Sequence, residues 1–510
     1  MSLGAGPLAA AGAWHHRGAP AAAARTAARL LTVGWMAAML LAGGALGGNP
    51  QSLPGFEATA VASLVLVLVL GMGATVLGFA ARSLRHEPYQ QRFVGAGIAI
   101  VSLGTTLATT TDLVVLAAAW CATSLATLQL VRTGPGEGTA IRLLRIRRAL
   151  VSSDVLVVVA VTVLIVASGS SAMSDLGRAG AAAPVAGLLL VLAAALRSAT
   201  APFHRWLPDT LAAPTPASAL LHAGVVNGGV IVLIKLAPAA TGQWAPALLA
   251  LALGGASCVF AEAVMLTRPD VKGRLAWSTV AQMSFTLALC GLGLYRAATL
   301  HLVAHGFYKG ALFLGSGSNV RALIRSRTAP PVKSVPARAF AAVAFGLTGL
   351  SAVAAVNLSG AEMGADLLVP IALAWVTAGL ATTAWLDRAG PVMTRLLGLT
   401  SGAIMLAAFT TMTAALKHGI GSSLPPAETV HPGWIVPILA ALALVAVTHR
   451  APATLGASER AWAWIRAAGR PVAPRPLHVA WPEGRAGRGW WSERRTPALS
   501  PALDDGLIGG

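Results

Sequence analysis

Apolar residues along this chain of 510 residues come in blocks of roughly 18 to 24, long enough to cross a hydrocarbon layer of about 30 Å as helices. About fourteen blocks can be marked, at 29–47, 58–81, 92–109, 111–131, 150–168, 181–213, 217–237, 244–266, 275–294, 298–320, 338–357, 367–386, 392–415 and 433–448. Strands of an outer-membrane barrel would instead alternate apolar and polar residues over about ten positions. The pattern predicts an all-α fold, a polytopic membrane helix bundle. The sixth block is too long for one straight crossing and is interrupted at Arg197-Ser198-Ala199-Thr200-Ala201-Pro202. Pro202 lacks a backbone donor and clashes with the preceding turn, so at least one discontinuous helix is expected, with freed carbonyls beside a charge.

Composition agrees with this reading. The chain is 56% hydrophobic and 11% charged, with mean hydropathy +0.71, whereas a soluble domain carries about 25% charged residues. A net charge of +19 suggests a nucleic-acid binder until the charges are located. With the connections numbered alternately from the N-terminal arm, 31 of the 37 Lys and Arg residues fall in one set: the arm, the loops 82–92, 132–148, 205, 268–274, 321–338 and 388–395, and the tail. The other connections hold only Arg178, Lys235, Arg296 and Lys417, while Arg197 and Lys309 lie within blocks. Basic loops stay on the cytoplasmic side, so both termini are expected there, facing anionic membrane lipid rather than nucleic acid. Residues 1–28 are Ala-rich and are expected to form a disordered cytoplasmic arm, ahead of a transmembrane domain over 29–448. The arm and first block resemble a signal peptide, but without an A-x-A cleavage site a retained first span is expected. Residues 449–510 form a basic, Trp-rich cytoplasmic tail, held near anionic lipid or docking a partner. Cys121, Cys258 and Cys290 are far apart inside apolar blocks and read as buried thiols.

Ionisable groups within a bilayer cost at least about 2.5–3.5 kcal/mol each on insertion scales, so each needs a reason. His301, His305 and Lys309 recur at a spacing of four along one helix face. Neutral histidine both donates and accepts, and an ammonium withdrawn from water can give up its proton. Such a file could relay protons, or could simply join helices through polar contacts. No carboxylate accompanies the two histidines, so a metal site is not expected. A second set runs through Pro202-Phe203-His204-Arg205-Trp206-Leu207-Pro208-Asp209 to His222. Arg197 keeps its charge at any working pH and can bias neighbours without itself passing a proton. His204 could be functional or structural, and Asp209 reads as a helix or turn cap. A third set places Ser278, Thr279 and Gln282 in the ninth block, behind the basic loop 268–274. Glu262 could pair with Arg268 or serve a cation path, and Asp154 in the fifth block is a further supporting candidate. No nucleophile elbow, phosphate loop or metal-ligand spacing stands out, so neither enzymatic activity nor a cofactor is expected of this chain.

Three stretches, RSATAPFHRWLPDTLAAPTPASALLHA, RPDVKGRLAWSTVAQM and HLVAHGFYKGALFLGSGS, stand in this order within residues 110–320. Together they resemble the proton-translocating antiporter-like family, which includes the large antiporter-like subunits of respiratory complex I and of Mrp cation antiporters. HAGVVNGG and HLVAHGFYKG look most like the membrane subunits of two-part systems that accumulate inorganic carbon. The resemblance implies a bacterial inner-membrane subunit that passes H+ or Na+ inward. Its partner would be a cytoplasmic zinc protein, similar to a carbonic anhydrase, that hydrates CO2 to bicarbonate. Two alternatives stay open: a subunit of a respiratory or Mrp-type antiporter complex, and an anchor without an ion path. By position, His222, His301, His305 and Lys309 match the family's relay groups. Arg197 stands where relatives usually carry the lysine of the broken helix, and Cys121, after Trp120, where complex I relatives carry its glutamate partner. The exit-side lysine of the relatives has no counterpart in the eleventh block, where Glu362 is the nearest ionisable group. Paired Lys–Glu switching is therefore not expected.

Overall fold

A computed structural model describes residues 4–14, 18–133, 139–240, 243–317, 337–360, 365–386, 392–420 and 467. The fourteenth block, Glu362 and nearly all of the tail lie outside the described residues. The described chain is almost entirely helical. Helices α2 (Pro20–Leu46), α3 (Ala60–Ser83), α4 (Gln90–Thr109), α5 (Leu113–Val131), α6 (Thr139–Ser168) and α7 (Ala183–Arg197) correspond to the first six blocks. After the short α8 (Trp206–Asp209), the seventh block forms α9 (Thr215–Ala223) and α10 (Gly228–Lys235). Then follow α11 (Trp244–Leu266), α12 (Val271–Gly291), α13 (Tyr295–Leu314), α14 (Ala337–Ser359), α15 (Ala365–Leu386) and α16 (Val392–Ile420). Among the described residues ten stretches are long and apolar enough to cross a membrane. Neither α12 nor α13 is one of them, and these are the helices that carry Ser278, Gln282, His301, His305 and Lys309.

The N-terminal stretch corrects the sequence reading. Instead of a disordered arm, residues Ala5–Trp14 form α1 and the first span begins at Pro20. Alanine has the highest helix propensity, and here it also packs: Ala5, Ala9, Ala23, Ala24 and Ala27 are all buried. The Ala5 side chain fills the space that a Cβ on Gly34 would need, so small residues let α1 lie directly on α2.

Four alternate connections meet on one face of the bundle. A hairpin of β1 (Gln51–Leu53) and β2 (Phe56–Ala58), which the hydropathy pattern did not signal, bridges to Thr110 through Phe56. Thr111 N donates to Gly55 O at 3.0 Å, Met173 N to Thr111 O at 2.9 Å, and Leu113 N to Ser171 O at 2.8 Å. Lys235 Nζ, at the end of α10, donates to Ala108 O at 2.9 Å. These are the connections with few basic residues, so the alternation of charge along the sequence corresponds to one physical surface. Asp112 organises it: Oδ1 caps α5 by accepting from Val114 N and Val115 N at 2.8 and 2.9 Å, and Oδ2 accepts from Ser171 Oγ. The Ser171 bond, then the two backbone donors, hold its carboxyl below the usual carboxylate range despite some desolvation. Asp112→Ala is expected to cost about 1 kcal/mol, the usual worth of such a cap, in unfolding measured in detergent. A carboxyl with a lowered folded-state pKa stabilises above its unfolded value, and that contribution is lost on acidification through the folded value. The difference between wild type and Asp112→Ala should therefore shrink below the ordinary Asp titration range.

The expected break is present, and a second accompanies it. Helix α7 stops at Arg197, and Ala199 adopts φ +55°, a left-handed conformation that turns the chain out of the helix. The seventh block is also broken, by Gly224 and a single 3-10 turn, Val225–Asn227, between α9 and α10. A Cβ on Gly224 would lie 2.6 Å from Leu220 O, so this turn needs glycine. Asn227 Nδ2 closes the gap by donating to Ala223 O at 2.8 Å.

Candidate ion-conducting site

Helix α13 lies close to α9 because it carries Gly306 and Gly310. A Cβ at the first would collide with Leu68 and approach Ala223 O to 3.0 Å, and a Cβ at the second would collide with Met72. This approach buries the face bearing His305 and Lys309, which are 3% and 1% exposed. Opposite them, Ser278 and Gln282 project from α12 one turn apart. Lys309 Nζ donates to Ser278 Oγ at 2.7 Å and reaches Leu275 O at 3.5 Å. Gln282 Nε2 also donates to Ser278 Oγ, at 3.3 Å. Gln282 Oε1 lies 2.6 Å from His305 Nδ1. An amide oxygen only accepts, so Nδ1 carries the hydrogen and Nε2 is the free lone pair of a neutral ring. The His301 ring stacks on His305 with centroids 5.9 Å apart, and Phe285 meets it edge-on at 5.3 Å. The result is an unbroken file: Lys309, Ser278, Gln282, His305, His301.

His222 faces this file from α9. It is fully buried and stacks at 4.4 Å on Phe313, one turn beyond Lys309 on α13. Neither of its ring nitrogens has a hydrogen-bond partner among the described residues. The four relay candidates named from sequence are thus brought together. Thr279 is not part of the file, because its hydroxyl donates to Leu275 O in its own helix at 2.9 Å.

A second polar cluster surrounds Arg197, which is 1% exposed at the last position of α7. One guanidinium nitrogen, Nη2, donates to Asp154 Oδ1 at 2.9 Å, to Ser124 Oγ at 2.8 Å and more distantly to Trp120 O at 3.4 Å. Ser124 Oγ in turn donates to Asp154 Oδ1 at 2.7 Å, and the guanidinium sits 4.1 Å from the Trp120 ring centroid. Cys121 therefore does not leave Arg197 without a counterion: the carboxylate comes from α6, 43 residues from its partner. A cavity of about 40 Å³, room for a few waters, extends from Arg197 and Trp120 to Ala223 and Gly224 at the second break.

The remaining candidates have other surroundings. Asp209 is not a cap: its two oxygens accept from Arg145 Nε and Nη2 at 2.6 and 2.9 Å. Arg268 Nη2 pairs with Asp270 Oδ1 at 2.8 Å, and Glu262 stands one turn before the end of α11. Sequence reasoning missed Ser124, and also a hydroxyl cluster that ties the first break to two other helices. In it Ala201 N donates to Ser257 Oγ and Ser284 Oγ donates to Ser257 Oγ, both at 2.8 Å. Isolated serines in apolar blocks give no signal until their neighbours are known.

His204 lies in the connection between α7 and α9, against Trp277 at 5.0 Å and Phe260 at 5.4 Å. Burial, then the neighbouring Arg205 charge, pulls its pKa down to about 4. The fold therefore favours the neutral ring. As pH falls from about 6.5, the ordinary histidine value, toward that lowered value, protonation of the unfolded chain should progressively destabilise the protein. Unfolding in detergent across pH 7.5 to 4 should show this slope, and His204→Gln should flatten it.

The geometry can be set beside known proteins. Residues 110–383 match the family model described as NADH:quinone oxidoreductase/Mrp antiporter, transmembrane. A probable inorganic carbon transporter subunit DabB of Hydrogenovibrio crunogenus is 47% identical over 156 residues, 29% of this chain and 29% of that protein. A probable inorganic carbon transporter subunit DabB2 of Halothiobacillus neapolitanus is 42% identical over 179 residues, 34% and 32% of the two chains. The matched stretches thus span about a third or less of these relatives. The solved Mrp complex of Dietzia shares the fold, with TM-score 0.56 and 23% identity over 92% of this chain and 51% of the solved chain.

Proposed function

From the membership of this chain in the NADH:quinone oxidoreductase/Mrp antiporter membrane family, we propose that it conducts a cation, H+ or Na+, to energise inorganic carbon accumulation. The observation that carries the proposal is the buried file Lys309, Ser278, Gln282, His305 and His301 between α12 and α13. Each neighbouring pair is in hydrogen-bond or ring contact, and the terminal groups can each hold or release a proton. His222 lies on α9 beside the helix that carries the file, and the next residue, Ala223, lines the cavity that reaches Arg197. Arg197 retains its proton, so on this side Asp154 and water are the groups able to exchange one.

The DabB relatives support the carbon-accumulating reading over a respiratory one. In this reading the basic face lies toward the cytoplasm of a bacterial inner membrane, and a soluble DabA-like zinc protein, similar to a carbonic anhydrase, carries out the hydration of CO2 there. The chain supplies the ion flow and its partner the catalysis. Co-expression with a DabA-like soluble partner should restore growth in ambient air to a bacterium lacking carbonic anhydrase, while either protein alone should not. Growth without the membrane chain, or no growth with both proteins present, would refute the assignment.

A further inference from the structure

One helix grips the chain on both sides of the first break, with ion pairs of opposite polarity. Asp154 of α6 holds Arg197, the last residue before the break, and Arg145 of α6 holds Asp209, in the short helix after it. The two α6 residues are nine positions apart, about 13 to 14 Å along the axis. Helix α6 is continuous from Thr139 to Ser168, with neither glycine nor proline inside it, so it can act as a stiff bar. A third contact completes a ring. Trp206 Nε1, in α8, donates to Leu196 O in the last turn of α7 at 2.8 Å. Contacts therefore run from Asp154 to Arg197, from Leu196 to Trp206, along α8 to Asp209, and through Arg145 back to α6. Below this ring, Ser153 Oγ donates to Ala193 O at 2.9 Å and fastens the body of α7 to α6.

We propose that the ring of contacts anchored on α6 passes the charge state of Asp154 to the segment Arg205–Ala213, with Arg145 as the positioning residue. The inference deepens the reading of this chain as an ion conductor and names the place where conduction is felt outside the relay. The groups around the Asp154 carboxylate are Arg197 from α7 and, from α5, Ser124 and Cys121. Once Asp154 is neutral, the fully buried guanidinium keeps hydrogen-bond acceptors and the Trp120 ring but, among the described residues, no opposite charge. A buried charge that has lost its counterion is strongly unfavourable, so Arg197 must shift. The Ser153 bond fixes the α7 body, which leaves the turn at Ala199 to move, and Ala199 already holds a left-handed conformation that an alanine leaves readily. Trp206 carries that movement into α8, and the Arg145–Asp209 pair decides whether α8 resists or follows. Arg205, at the start of the segment, is exposed, so the response emerges at the protein surface.

Amide hydrogen exchange of the full chain in lipid nanodiscs tests this without requiring ion flow. Asp154→Asn should raise exchange across 205–213 by about tenfold while leaving α11 and α12 unchanged, a local opening rather than unfolding. Arg145→Gln should raise the same segment, and adding Asp154→Asn to it should add less than about twofold, the non-additivity of groups in one network. Exchanging the charges, as Arg145→Asp with Asp209→Arg, should restore sensitivity to Asp154→Asn. Should Asp154→Asn fail to fold, acidifying the wild type replaces it: corrected exchange at 205–213 should rise as Asp154 protonates, and Arg145→Gln should abolish the rise. The inference is overturned if Asp154→Asn loosens only the surroundings of Arg197, or if the two substitutions act independently. A chain that conducts ions without this coupling loses the present inference alone, and one that shows the coupling without conducting loses only the functional reading.

Discussion

Lys309→Met is expected to lower cation flux through the reconstituted chain by about two orders of magnitude, the scale on which removing a positioned proton-transfer group usually acts. Methionine keeps most of the apolar stem that is buried against α12, so the fold should survive. It removes the only group that donates to Ser278 Oγ from α13. The file would then end at Ser278, whose hydroxyl neither gains nor loses a proton at working pH. His305→Ala should act as strongly for a different reason. It deletes the ring whose Nδ1 contacts Gln282 Oε1 and whose face contacts His301, separating the two halves of the file. Flux is measured in proteoliposomes under an imposed pH or Na+ gradient, with thermal unfolding in detergent confirming that each variant folds. Wild-type flux in both variants would show that these residues only join helices.

The second large effect concerns stability. Asp154→Ala should destabilise the protein by about 3–5 kcal/mol, because it leaves Arg197 buried and charged without its counterion. Replacing both partners, as Asp154→Leu with Arg197→Met, should recover most of that loss, since apolar side chains of similar volume need no counterion. Unfolding by denaturant in mixed micelles measures both. A loss below about 1 kcal/mol in the single variant would mean that the pair behaves like an exposed ion pair on the surface. The contrast between single and double variants separates the energetics of the pair from the role in conduction proposed for it, because neither double-variant residue can carry a proton.

The sequence reading went furthest where a pattern is local. Hydropathy alone located thirteen of the blocks that the structure describes as helix, and the spacing of four in His301, His305 and Lys309 put them on one face. It failed where the partner is distant. Ser278 and Thr279 are adjacent and chemically alike, yet only Ser278 faces Lys309, while Thr279 bonds within its own helix. Neighbouring helical residues differ by about 100° in direction, and only the packed position of α13 selects between them. The second break was written in Gly224, Gly228 and Gly229, but glycine also serves close helix packing, and the backbone had to be seen before the two uses could be told apart.

Membrane insertion, the thirteen apolar blocks that the structure describes as helix, the asymmetry of charge and the shared face of His301, His305 and Lys309 were all determined by the sequence, because each rests on the chemistry of one segment in a bilayer. The choice of Asp154 as the partner of Arg197, the ring closed by Arg145, Asp209 and Trp206, and the packing of His222 against α13 were decided only by tertiary structure. An ion pair depends on distance in space, and the side chains that satisfy a buried charge can be drawn from any helix that packing brings within about 3 Å of it.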